Sequence, residues 1–127
     1  MKQRFGTMLL VLMSALLFTL SKAHAKASGI YQTGMTSWYG RAHHGKKTAS
    51  GERFNMYGLT AAHRTLPLGT MVRVTNVANG KSVIAKVNDR GPFHGNRVLD
   101  LSQGAAKALD MMKSGTAKVQ IEILGKN

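Results

Sequence analysis

Cysteine is absent from the 127-residue chain. Disulfides and thiolate metal ligands are therefore excluded, and so is the residue that a lipoprotein cleavage site needs, so no stable membrane anchor is expected. Acidic residues are scarce: five, against 18 lysines and arginines, for a formal net charge of +13. That balance favours an anionic partner. A run long enough to span a membrane is missing too. Residues 8–20 are almost wholly apolar, but this is short for a bilayer. Lys2 and Arg4 precede the run, and Ala23-His24-Ala25 follows it as a small-x-small site. This pattern reads as a secretory signal peptide over residues 1–25, cleaved after Ala25, which puts the protein in the periplasm or outside the cell. For an exported chain the anionic partner expected is a cell-wall polymer or an anionic membrane surface, with no nucleic acid. Without disulfides, the exported part must hold together through one modest core.

What is present is a series of short β patterns. Residues 26–33 are polar and read as a flexible lead-in. Residues 35–39 read as a first strand closed by Gly40, and 41–51 as a basic loop. Residues 59–63 are too few to separate a strand from one helical turn. In residues 70–77 Val72 and Val74 alternate with Arg73 and Thr75, the pattern of a half-buried strand. Asn79-Gly80 is a strong hairpin signal and joins that strand, antiparallel, to residues 81–87. Residues 97–101 read as another strand. Ser102 caps a helix expected over residues 103–111, with Ala105, Ala106 and Leu109 on one face. Residues 117–123 alternate strictly and form the clearest strand. A faint internal echo, Gly69-Thr70 and Gly115-Thr116 each opening a strand, points to two related halves in a small closed barrel.

One turn stands out. Gly91-Pro92 ends the strand after Val87, at Asn88-Asp89-Arg90. Asp89 there either pairs structurally with Arg90 or Arg53 or serves chemistry, and Glu52 is the second carboxylate of interest. Trp38 and Tyr39 point to opposite sides of a strand, so one is expected in the core and the other at the surface, where an aromatic face stacks on a sugar. Phe54 and Phe93 follow the two carboxylates closely. Asp100, just before the helix, reads as a structural cap. His43 and His44 are adjacent and point apart, and no His-x-x-x-His spacing occurs, so no metal site is expected.

Five runs, in this order, resemble the rare lipoprotein A (RlpA) family: Thr36-Ser37-Trp38-Tyr39-Gly40; Lys47-Thr48-Ala49-Ser50-Gly51-Glu52-Arg53-Phe54; Leu59-Thr60-Ala61-Ala62-His63-Arg64-Thr65-Leu66-Pro67-Leu68-Gly69-Thr70; Val87-Asn88-Asp89-Arg90-Gly91-Pro92-Phe93; and Val98-Leu99-Asp100-Leu101-Ser102. The resemblance covers residues 34–124. It implies a mainly β fold, a six-stranded double-psi β-barrel with pseudo-twofold halves and one or two short helices. It further implies a monomer, working without a cofactor, that cleaves the MurNAc–GlcNAc bond of peptidoglycan glycan strands and leaves 1,6-anhydromuramyl ends. Motif by motif, the family's catalytic residues fall on Asp89, Glu52 and His63. Trp38, Tyr39, Asn88, Arg90 and Phe93 are the accompanying candidates for holding substrate. A non-catalytic wall-binding or wall-loosening module on the same barrel, as in expansins, is the alternative.

The residue types suit that chemistry. A carboxylic acid can protonate the leaving oxygen of a glycosidic bond. The sugar's own C6 hydroxyl then attacks the anomeric carbon, so no positioned water is needed and the same carboxylate can take up the hydroxyl proton. Asp89 is expected in that acid/base role. Glu52 would act on it by like-charge repulsion or steady the oxocarbenium-like transition state, and the two roles are interchangeable at this level.

Overall fold

The computed structural model describes residues 29–126; the signal peptide expected at 1–25 lies outside them. The described chain runs β1 (Ile30–Tyr39), a short 3-10 turn (Arg41–His43), β2 (Thr60–Ala62), β3 (Thr70–Asn76), β4 (Ser82–Asp89), β5 (Arg97–Ser102), α1 (Gln103–Ala108) and β6 (Thr116–Lys126). The strands close on themselves in the order β1-β5-β2-β4-β3-β6. Exchanging β1 with β4, β2 with β5 and β3 with β6 reproduces this order. The parallel pair β1–β5 then maps onto the parallel pair β2–β4, and the antiparallel pair β1–β6 onto β3–β4. This is the pseudo-twofold, double-psi arrangement that the resemblance implies, and the two Gly-Thr sequences do open β3 and β6, which pair with each other.

The alternating residues of β3, β4, β5 and β6 fill the barrel. Val72, Val74, Ala85, Val87, Leu99, Leu101, Val119 and Ile121 are all fully buried. Such side chains contribute roughly 1.5–3 kcal/mol each when fully buried, and with no disulfide they carry the stability. Ala105, Ala106, Leu109 and Met111 join the same core. The Ser102 hydroxyl accepts the Ala105 N–H at 3.2 Å, the expected N-cap. The helix stops three residues earlier than its pattern implies, because Asp110 takes a left-handed φ of 54°; Leu109 and Met111 still reach the core from the turn beyond.

One further element departs from the sequence reading, and one left open is decided. The flexible lead-in over 26–33 gives way to strand from Ile30, because the polar stretch Gln32-Thr33-Gly34 has a full partner in β6, with Thr33 opposite Gln120 and Gly34 opposite Val119. The ambiguous residues 59–63 contain a strand, since β2 lies between β4 and β5.

The long connection 40–59 is ordered by its own hydrogen bonds. Gly45 N–H donates to the Phe54 carbonyl (2.8 Å) and Phe54 N–H to that of Lys46 (2.7 Å). Phe54 and Met56 are buried beneath it. Its far end rests on α1: Gly104 N–H donates to the Met56 carbonyl at 2.9 Å, and a Cβ at Gly104 would stand 2.5 Å from the Tyr57 carbonyl oxygen.

Candidate functional site

The register of four neighbouring strands lines up one row of residues. Ser37 of β1 lies opposite Asp100 of β5, Asp100 opposite Ala62 of β2, and Ala62 opposite Asp89 of β4. Regular alternation from Val83, Ala85 and Val87 would turn Asp89 into the barrel. A register shift between Ala61 and Ala62 leaves Asn88 as the extra residue of a bulge, and Asp89 comes out on the same face as Ala62 and Asp100. A cavity of about 270 Å³ opens over this row. Tyr39, His43, Arg90, Pro92, Phe93 and Arg97 complete most of its lining. The loop after β4 therefore supplies one side, and the end of β1 with the 3-10 turn the other.

Among the described residues Asp89 makes no ion pair. Its Oδ1 accepts the N–H groups of Ala49 (3.0 Å) and Arg90 (2.9 Å). Both bonds fall on one oxygen, which leaves Oδ2 for a ligand. The structural pairing with Arg90 or Arg53 does not occur. The Arg90 guanidinium donates instead to the carbonyls of Leu66 (2.6 Å) and His63 (3.2 Å), and that of Arg53 to the Gly45 carbonyl (2.9 Å).

Glu52 sits on the loop that holds Asp89, and outside the cavity lining. That loop lies along β4: Ala49 reaches Asp89, Ser50 N–H donates to the Asn88 carbonyl (3.1 Å), and Glu52 Oε2 takes a 2.8 Å bond from Lys86 Nζ. The Lys86 hydrogen bond, helped by one from Ser50, holds the Glu52 carboxyl below its usual range. Glu52 is therefore held in its ionised form by Lys86, whereas Asp89 has no such partner among the described residues.

His63 is buried and does not line the cavity. Its Nδ1 accepts the N–H groups of Leu66 (3.0 Å) and Thr65 (3.1 Å), so Nε2 carries the proton and donates to Gln32 Oε1 at 2.9 Å. Burial, then Arg90 and Arg64, hold the imidazole below its ordinary value and so neutral. Its backbone N–H donates to the Asp89 carbonyl at 3.1 Å. His63 thus fixes the backbone that carries Asp89, with no ring contact to a substrate space.

Of the remaining candidates, Tyr39, Arg90 and Phe93 line the cavity, and Phe93 is 74% exposed. Trp38 packs against the core, as one of the two aromatic neighbours must. Asn88 is buried under the 48–52 loop, with its side-chain oxygen unpartnered. Tyr39 stacks on Phe54 with ring centroids 4.6 Å apart. Its hydroxyl is buried without a partner, and burial, followed by the charges of Asp89 and Asp100, pushes the phenol above its ordinary range. Four cavity residues with ionisable side chains lie outside the site expected from sequence: His43, His94, Arg97 and Asp100. Arg97 was taken only as a strand residue. Asp100 was taken as a helix cap; Ser102 fills that place, and Asp100 faces the cavity.

The chain matches a family model described as lytic transglycolase over residues 31–121. It is 60% identical over 91 residues to the endolytic peptidoglycan transglycosylase RlpA of Neisseria meningitidis serogroup A, covering 72% of this chain and 38% of that protein. It is 54% identical over 99 residues to the protein of the same name from Campylobacter jejuni, covering 78% of this chain and 36% of that one. The chain thus spans well under half the length of these relatives. Among solved structures, a Streptomyces papain inhibitor superposes with a TM-score of 0.58 at 23% identity, over 74% of this chain and 96% of that one. A Clavibacter michiganensis expansin solved with cellohexaose gives 0.58 at 18% identity, over 73% and 50%. These last two likenesses carry the barrel fold alone.

Proposed function

Because the chain belongs to the lytic transglycolase family, we propose that it cleaves the MurNAc–GlcNAc bond of peptidoglycan glycan strands and leaves 1,6-anhydromuramyl ends. The observation that carries this reading is Asp89: a carboxylate with no ion pair among the described residues, anchored through one oxygen, facing an open cavity. In its protonated form Asp89 gives its proton to the leaving oxygen as the C1–O bond breaks. The C6 hydroxyl of the same sugar closes on C1, and its proton returns to Asp89. The sum is one bond broken and one formed with no water consumed, and no cofactor enters.

Glu52, kept ionised by Lys86, supplies a fixed negative charge on the loop that holds Asp89. His63 is a positioning residue acting through its backbone bond to Asp89. Tyr39 and Phe93 offer ring faces to the sugar, and Arg90 braces the turn beneath them. The substrate locates the protein outside the cytoplasm, in the periplasm or beyond, acting as a monomer. The excess of basic side chains suits a wall polymer that carries carboxylates.

The test is mass spectrometry of the fragments released from purified sacculi by the purified protein. Anhydromuramyl ends are the expected product. Reducing ends would make the protein a hydrolase, and binding without release would make it a wall-binding module.

A further inference from the structure

Two loops beside the cavity hold each other by exchanged arginines. Residues 63–66 follow β2, and residues 90–96 follow β4. Arg90 reaches from the second loop to the His63 and Leu66 carbonyls of the first. Arg64 reaches back the other way. Its Nε donates to the Pro92 carbonyl at 2.7 Å, and its Nη2 donates to the Arg97 carbonyl at 2.7 Å. The first loop is a firm base: the His63 ring accepts the N–H groups of Thr65 and Leu66, and the His63 N–H is bonded to the Asp89 carbonyl.

The second loop has little else to hold it. Pro92 is buried, but Phe93, His94, Gly95 and Asn96 are all exposed. Among the described residues, no other side chain bonds to the backbone of residues 91–96. Arg64 therefore brackets the exposed segment, with one carbonyl just before Phe93 and the other at the start of β5. A single planar guanidinium makes both bonds, so the two ends of the segment are set relative to each other. Phe93 lies between them and lines the cavity, with its ring over Gly91, where a Cβ would stand 3.5 Å from the ring.

We infer that Arg64 is a positioning residue for the glycan site: by bracketing residues 92–97 it presets the Phe93 face against which a sugar binds. This inference rests on the proposed glycan cleavage and adds to it a residue outside the cavity lining. Four exposed residues released from the bracket would sample many backbone states. Ordering them again on the substrate would draw on the binding energy, and the loss would appear in KM. Asp89 is held separately, by the N–H groups of Ala49, Arg90 and His63, so the chemical step is spared.

The experiment measures anhydromuramyl ends released from purified glycan strands over a range of strand concentration. It compares wild type, Arg64→Ala, Arg64→Lys, Phe93→Ala and the double variant Arg64→Ala/Phe93→Ala, with folding checked by circular dichroism. Arg64→Ala is expected to raise KM about fivefold and to leave kcat within about twofold. Phe93→Ala is expected to raise KM by at least about as much. The double variant is expected to match Phe93→Ala, because once the ring is gone its placing no longer matters. Arg64→Lys keeps the charge but loses the two-pronged bond, and is expected to follow Arg64→Ala. A folded Arg64→Ala with the wild-type KM overturns this inference alone. So do single-variant factors that multiply in the double variant, since Arg64 would then act independently of Phe93. A wild-type KM for Arg64→Lys also overturns it, by making Arg64 a charge for the polymer rather than a bracket. If Arg64→Ala does not fold, Arg64→Lys takes its place in the single and double comparisons. A wild type that releases nothing overturns the glycan-cleavage reading and this inference with it.

Discussion

The barrel has two walls, built by different rules. The back wall, β4-β3-β6-β1, is antiparallel throughout. Its outer face is ordinary surface, with Arg73 paired to Glu122 and Ile84 and Ile123 partly exposed. The front wall, β1-β5-β2-β4, contains both parallel pairs, and the bulge at Asn88 interrupts it. Parallel strands cannot be joined by tight hairpins. Other strands therefore intervene in the chain between parallel partners, and the two segments that cross this wall, 40–59 from β1 past β5 to β2 and 90–96 from β4 past β2 to β5, lie at the sides of the cavity. The same pseudo-twofold scaffold thus gives one wall of regular antiparallel pairing and one that holds the cavity.

That division can be broken from either side. The largest effect is expected for Asp89→Asn on the front wall. Its rate of glycan cleavage should fall by at least about 100-fold, as for loss of a general acid. Its melting temperature should barely move, because asparagine keeps an Oδ1 to accept the Ala49 and Arg90 N–H groups. Next comes the back-wall core. Ile121→Ala, at a fully buried position, should cost about 2–5 kcal/mol in denaturant unfolding, while the turnover of the folded fraction stays at the wild-type value.

A pH experiment probes the seam behind the front wall. Folding holds the His63 imidazole below its ordinary value, so the unfolded chain takes up that proton at higher pH than the folded chain does. The stability attached to neutral His63 is fully present above about pH 6.5 and is lost as pH falls from there towards the folded value. A melting temperature that declines over that window in wild type, and declines less in His63→Gln, is the expected result. The smallest effect belongs to the back wall's surface: Arg73→Ala should change unfolding free energy by less than about 1 kcal/mol, as for an exposed pair, and leave activity untouched.

The same contrast explains what could be read from the sequence. Strict alternation in β6, the Val72/Val74 pattern in β3 and the Asn79-Gly80 turn made the back wall legible, since antiparallel strands with one buried face write their register into side-chain order. The front wall is less so. Thr60–Ala62 is too short for a period, and its place between β4 and β5 depends on partners far away in sequence. Motif matching singles out Asp89, but alternation counted forward from Val87 turns it inward, and only the bulge brings it to the cavity. Asp100 hid for a related reason. Flanked by Leu99 and Leu101 and followed by a helix, it looked like a cap, and nothing local says that the opposite face of β5 is the floor of a cavity. The motif points to His63, but the contacts that bury its ring come from Gln32, Thr65 and Leu66, of which Gln32 lies in the stretch expected as a lead-in.

The central claim is that glycan binds across the front wall, between the two crossover segments. Amide chemical-shift mapping of isotope-labelled Asp89→Asn protein, titrated with purified glycan strands it can no longer cleave, tests this directly. The expected result is perturbation at Tyr39, His43, Ala49, Ala62, Arg90, Phe93 and Asp100, with β3 and β6 silent. Shifts confined to the Arg73–Glu122 face, with the front-wall amides unmoved, would contradict the account.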